Sequence, residues 1–140
     1  MARQAATVLI IDDDAAHRTM LSSTLRSRVA SLLTAPSAED GLKRLESAQP
    51  DLILLDMRMP GMGGLGFLRS LRESSCQIPV VVLTAFAAVE QAVEAMRLGA
   101  ADYLEKPIDL ALLEDLLRRY LPREPDPGGS PEVPPLPEAY

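Results

Sequence analysis

The sequence predicts an α/β fold: a doubly wound sheet of five parallel strands with helices on both faces. Three observations carry that expectation. The runs 8–11, 52–55 and 80–83 are apolar at every position, as strands covered on both faces must be. Segments with apolar side chains at helical spacing separate them, and such helices supply the covering layers. Each run then ends in a polar residue, at Asp12, Asp56 and Thr84. In a parallel sheet all carboxyl ends share one edge, so these side chains are expected together.

The elements follow in order. Val8-Leu9-Ile10-Ile11 opens the sheet and runs into Asp12-Asp13-Asp14. Leu21, Leu25 and Val29, four apart, predict the first helix. A weaker strand is read at 31–34. Ser37, with Asp40 three residues on, predicts the cap of a second helix carrying Ala38, Leu42 and Leu45. The third strand is 52–55. Gly64, Phe67, Leu68 and Leu71 mark the third helix, and Val89, Ala92, Val93 and Met96 the fourth, each at i, i+3, i+4, i+7. The fourth strand is 80–83, and a short fifth is read at 102–104. Asp109 caps a last helix that continues to Leu121, where Pro122 ends it.

The 140 residues fit one domain at 1–121 followed by a tail at 122–140. Seven of the twelve prolines fall in the tail, with Gly128-Gly129-Ser130 in the middle, so an extended or disordered linker is expected there. Pro131, Pro134 and Pro137 also fit the spacing of a Pro-rich ligand, a pattern common in any such stretch. A net charge of −6 argues against a basic nucleic-acid-binding face. Cys76 stands alone, which excludes a disulfide framework or a cysteine metal site. The N-terminus lacks a signal-peptide pattern, and no apolar run approaches about 18 residues. A cytoplasmic protein that does not bind membranes is expected.

Three carboxylates after a buried strand repel one another, and folding alone does not call for them. A hard divalent cation, Mg²⁺, suits that charge. In an open α/β sheet, ligands bind where strand order reverses. For the order 2-1-3-4-5 that point lies between strands one and three, so the aspartate run would face Asp56. A carboxylate there can act as a nucleophile toward a phosphoryl group. Lys106, near the end of the fifth strand, would pair with phosphoryl oxygens, and the Thr84 hydroxyl would donate a hydrogen bond.

At these positions the chain resembles the response-regulator receiver domains of two-component signalling. The resemblance covers about residues 6–121. It is carried by Leu9-Ile10-Ile11-Asp12-Asp13-Asp14, by Asp51-Leu52-Ile53-Leu54-Leu55-Asp56-Met57-Arg58-Met59-Pro60-Gly61-Met62 and by Val82-Leu83-Thr84-Ala85. Gly99-Ala100-Ala101-Asp102-Tyr103-Leu104-Glu105-Lys106-Pro107 completes the set. It implies a flavodoxin-like (βα)5 fold and a signalling switch, not an enzyme with an external substrate. Asp56 would be the phosphoacceptor. Asp13 would ligate Mg²⁺ directly, Asp12 mainly through a coordinated water, and Arg58 through its backbone carbonyl. Lys106 would contact the phosphoryl group, and Pro107 would follow a cis peptide. Thr84 and Tyr103 would form the switch pair, read out on helix 4, strand 5 and helix 5, at about 88–121. Asp14 falls outside the acidic pair and is read as a helix-start residue.

The implied partner is a sensor histidine kinase or phosphotransfer protein, with a homodimer through the helix 4–strand 5–helix 5 face as a further expectation. Leu112, Leu113, Leu116, Leu117 and Tyr120 give the last helix more apolar positions than one buried stripe needs. The stretch 84–107, with Ala95-Met96-Arg97-Leu98-Gly99-Ala100, is most similar to the nitrogen-regulatory activator group, whose receivers continue into an ATPase and a DNA-binding domain. A receiver belonging to a longer protein is therefore expected. Gly63 stands where many relatives place Asp, Asn or Ser, which predicts a looser start to the third helix.

Other readings are weaker. A Mg²⁺-dependent phosphohydrolase using Asp56 would need a second acid two residues on, where Arg58 stands. A nucleotide- or flavin-binding module would want a phosphate-cradling loop after the first strand, where Asp12–Asp14 would repel phosphate. A degenerate receiver would have lost some of Asp13, Asp56, Thr84 and Lys106. His17, the only histidine, is read as a surface residue. Met57, Met59 and Met62 are read as gap-filling side chains, because thioethers suit soft metals. Arg58 and Phe86 flank the site and are expected to tune the phosphoryl lifetime.

Overall fold

The computed structural model describes residues 4–59, 61–85 and 89–121. Pro60, Phe86 and the 122–140 tail, with its linker and Pro-rich-ligand readings, lie outside the described residues. Five strands alternate with five helices: β1 (Gln4–Ile11), α1 (Ala15–Leu25), β2 (Val29–Ala35), α2 (Ala38–Ser47), β3 (Leu52–Asp56), α3 (Gly63–Glu73), β4 (Val80–Thr84), α4 (Val89–Arg97), β5 (Asp102–Glu105) and α5 (Leu110–Tyr120). The sheet order is β2-β1-β3-β4-β5 and every pairing is parallel, as the sequence predicts.

Alternate side chains of each strand feed two cores. Val8, Ile10, Leu52, Leu54, Val81 and Leu83 face one side, where Leu21 and Leu25 of α1 and Leu113, Leu116 and Leu117 of α5 cover them. Leu9, Ile11, Ile53, Leu55, Val80 and Val82 face the other, against Phe67, Leu68 and Leu71 of α3 and Ala95 of α4. Each fully buried Leu or Ile contributes about 2 kcal/mol through its removal from water. Every residue of β3 and β4 is buried, which explains their unbroken apolar runs.

β1 begins at Gln4 and not at Val8, and β2 spans Val29–Ala35, wider than the 31–34 read from the sequence. Val29 is not on the first helix but begins β2, because α1 ends at Leu25 and the chain turns at 26–28. Its spacing of four from Leu25 mimics a helical stripe, and its burial comes from the sheet instead. The caps match expectation. Asp14 accepts from the backbone N–H groups of Ala16 and His17, Ser37 from Asp40, and Asp109 from Ala111 and Leu112. These acceptors satisfy helix-end donors that would otherwise lack partners. At α3 the N-cap residue, Met62, makes no capping hydrogen bond with its own side chain. Gly63 there has φ +73°, and the Glu39 carboxylate of α2 accepts from the Met62 N–H at 3.1 Å.

Candidate functional site

Strand register sets the site. Ile11 pairs with Leu55, Asp56 with Leu83, and Thr84 with Glu105. Asp12, Asp56 and Thr84 therefore finish their strands nearly level with one another, and Lys106 follows β5. Gly64 lets α3 approach this edge. A Cβ at that position would lie 2.8 Å from Met57 Sδ, 3.0 Å from Met57 Cα and 3.2 Å from the Asp56 carbonyl oxygen.

Oxygens of Asp12, Asp13 and Asp56 lie within 4.8 Å of one another. Asp12 is fully buried, Asp56 is 3% exposed, and Asp13 is open to solvent. An all-oxygen set with one solvent-facing member fits a hard divalent cation that keeps waters in its shell. Lys106 Nζ donates to Asp56 Oδ1 at 3.1 Å, and the Arg58 N–H approaches the same oxygen at 3.4 Å. Burial pushes the Asp56 carboxyl above its ordinary value of 3.8. The hydrogen bond from Lys106 opposes that rise, and the nearby Asp12 charge adds to it. Thr84 is buried at the end of β4, and its carbonyl accepts from the Lys106 N–H at 2.8 Å. The Lys106–Pro107 peptide is cis.

The structure thus brings together Asp12, Asp13, Asp56, Thr84 and Lys106. The Arg58 side chain points into solvent while its backbone borders the cluster. Tyr103 is apart from the carboxylates, on β5, and is 45% exposed. It lines a cleft of about 460 Å³ with Lys106, Pro107 and Leu112. Met57 is buried, Met59 half-buried and Met62 exposed, and Met57 and Met59 pack against the apolar core. Of the extra apolar positions on α5, Leu113, Leu116 and Leu117 are core, whereas Leu112 is exposed.

The reading of His17 as a surface residue is corrected. Its Nδ1 contacts Asp12 Oδ2, and its side chain is only 15% exposed. The available signal was spacing: His17 stands four residues before Leu21, which stands four before Leu25, so it continues the buried stripe of α1. Asp51 belongs to the opposite edge of the sheet. Its carboxylate accepts from the Thr7 N–H at 2.9 Å beside the register shift of β1.

Residues 8–118 match the family model described as the response regulator receiver domain. The chain belongs to that family. Receiver domains are the phosphoacceptor switches of response regulators. The chain is 38% identical over 121 residues to the transcriptional regulatory protein ZraR of Salmonella typhimurium, covering 86% of this chain and 27% of that protein. It is 43% identical over 116 residues to the response regulator protein FleR of Pseudomonas aeruginosa, covering 83% and 24%. The DNA-binding transcriptional regulator NtrC of Proteus hauseri is 38% identical over 121 residues, covering 84% and 26%, in keeping with the nitrogen-regulatory pattern. The chain spans about a quarter of the length of these relatives. Among solved structures, a receiver protein from Pseudomonas putida matches with a TM-score of 0.76 at 34% identity, covering 85% of this chain and 98% of that one. The receiver domain of NtrX from Brucella abortus matches with a TM-score of 0.76 at 29% identity, covering 81% and 97%. Among the described residues, no helix is long and apolar enough to cross a membrane.

Proposed function

We propose that Asp56 accepts a phosphoryl group from a phosphohistidine of a sensor kinase or phosphotransfer protein, in a reaction that requires Mg²⁺. The convergence of Asp12, Asp13 and Asp56, with Lys106 on the last of them, carries this reading. Lys106 and the Arg58 N–H both engage Oδ1, so Oδ2 is assigned as the nucleophile. Oδ2 forms the new P–O bond as the P–N bond breaks, and the departing imidazole keeps the electron pair and takes a proton. Asp12, Asp13, Asp56 and the Arg58 carbonyl would hold the metal, which when bound neutralises charge on the phosphoryl oxygens. Lys106 then transfers its contact from Asp56 to a phosphoryl oxygen, and the Thr84 hydroxyl donates to another.

The drawing of Thr84 toward the phosphoryl group opens space beside β5 that the exposed Tyr103 ring fills. The α4–β5–α5 face changes shape with it, a two-state element biased by one local charge. We infer that this face, with Tyr103 and Leu112 at its surface, passes the signal to a partner, a second copy or an output domain. The ZraR and NtrC descriptions as transcriptional regulators favour a transcriptional output. On this reading the receiver occupies residues 1–121, and 122–140 is a linker.

The test is labelling of the chain with acetyl phosphate and Mg²⁺. One acyl phosphate per chain, lost in base or hydroxylamine and absent in Asp56→Asn, is expected. Labelling that persists unchanged in Asp56→Asn overturns the assignment. Sustained turnover of many organic phosphates would instead favour a phosphohydrolase.

A further inference from the structure

Asp12 is held at every polar atom. Its N–H donates to the Ala35 carbonyl at 3.1 Å, and its own carbonyl accepts from Arg18 Nη1 at 2.7 Å. Its Oδ1 accepts from the Asp14 N–H at 2.9 Å, and its Oδ2 meets His17 Nδ1. A carboxylate oxygen only accepts, so this last contact is a hydrogen bond with the proton on Nδ1. The histidine is itself fixed, because the first turn of α1 is tied down by Asp14 Oδ1, which accepts from the His17 N–H at 3.2 Å. Asp12 is fully buried beside Asp56, where an unsatisfied, rotating carboxylate would be costly.

We propose that His17 is a positioning residue for the divalent cation: its Nδ1–H locks the Asp12 carboxylate in the orientation that serves the metal. The proposal rests on the metal reading of the acidic cluster given above. Metal-ligating carboxylates gain affinity when an outer partner fixes their rotation, since a cation then meets an acceptor already in place. Among the described residues, peptide donors reach only Oδ1 of Asp12. His17 is the side chain that controls Oδ2.

The experiment is calorimetric titration of Mg²⁺ into the 140-residue chain at one pH, with no phosphodonor present. His17→Asn keeps an amide donor near the position of Nδ1, whereas His17→Gln moves it toward the position of Nε2 and His17→Phe removes it. Mg²⁺ affinity is expected to fall about tenfold in His17→Phe and His17→Gln, and to stay within about threefold of the parent in His17→Asn. Parental affinity in His17→Phe or His17→Gln, or an equal loss in His17→Asn, overturns the proposal. The Asn and Gln pair decides the matter should His17→Phe not fold. Asp13→Asn separates the two readings. If it abolishes Mg²⁺ binding while the His17 variants bind normally, only the positioning role fails. If it binds as the parent does, the metal reading fails with it.

Discussion

Lys106 Nζ stands 3.1 Å from Asp56 Oδ1, which ties the end of β5 to the end of β3 across the intervening β4. The ammonium is the cation facing the buried Asp56 carboxylate among the described residues. Its removal leaves that carboxylate with the Arg58 N–H alone on Oδ1, and the incoming phosphoryl group without a fixed positive charge. Lys106→Met is expected to slow labelling by acetyl phosphate by about 100-fold, the scale of losing one preorganised donor from a charge-developing site. A rapid-quench time course measures it, and an unchanged rate would remove Lys106 from the chemistry.

The raised pKa of Asp56 has a consequence for stability. Burial disfavours its charged form in the fold, so ionising Asp56 weakens the folded state relative to the unfolded chain. The penalty is absent in acid, grows as pH rises from 3.8 through the higher folded-state value, and is complete above it. Asp56→Asn removes that charge while keeping its shape. At neutral pH the variant should be more stable than the parent by about 1 kcal/mol, as is common when a functional strain is relieved. The advantage should vanish as the pH falls below the carboxylate range. Urea unfolding at several pH values tests this, and a variant less stable at neutral pH would contradict it.

Much of this site was legible because its polar residues sit where buried strands stop. The runs 8–11, 52–55 and 80–83 are fully enclosed, so their ends are sharp and the polar residues after them stand out. β2 is harder to read, since it lies at the sheet edge and has an exposed side, so its sequence lacks an unbroken apolar run. No Gly or Pro separates α1 from β2, which let Val29 pass as helical. His17 was obscured for a different reason. Its partner Asp12 lies five residues away across a helix cap, and a histidine on a buried stripe is told apart from a surface one only when that partner is known.

Mg²⁺ should stabilise the folded chain, because a cation held by three converging carboxylates binds the native state and not the unfolded one. At a concentration 100 times its dissociation constant the gain is about 2.7 kcal/mol. The melting temperature should rise with Mg²⁺ in the parent and stay flat in Asp13→Asn. An equal rise in both would place the ion elsewhere.

Gly64 holds α3 against the Asp56 backbone, and its neighbours include main-chain atoms that cannot swing away. Gly64→Ala is expected to destabilise the protein by about 2 kcal/mol, the usual cost of overpacking a rigid contact. Because the pushed atoms include the Asp56 carbonyl, labelling should slow as well. Gly41→Ala is a useful contrast. A Cβ added there would come 2.4 Å from the flexible end of Ile11, which can change rotamer, so the loss there should be smaller. Parallel urea titrations rank the two, and the reverse order would show that α3 can shift freely.

Tyr103 provides the test of the switch. The residue is 45% exposed, although Leu104 beside it is buried, so it lies on the surface of β5 with open space next to it. If Thr84 is drawn toward a phosphoryl group, the ring should turn inward and lose contact with water. Fluorotyrosine NMR of the chain with Mg²⁺ and beryllofluoride, a phosphoryl mimic, should show one resonance shifting and becoming protected from a soluble relaxation agent. That resonance should be missing in Tyr103→Phe, which assigns it. In Thr84→Ala the mimic should still bind, since Asp56 and Lys106 remain, but the ring should stay exposed. A Tyr103 signal that does not respond in the parent, or responds equally in Thr84→Ala, would uncouple the two residues and leave the α4–β5–α5 face without its proposed trigger.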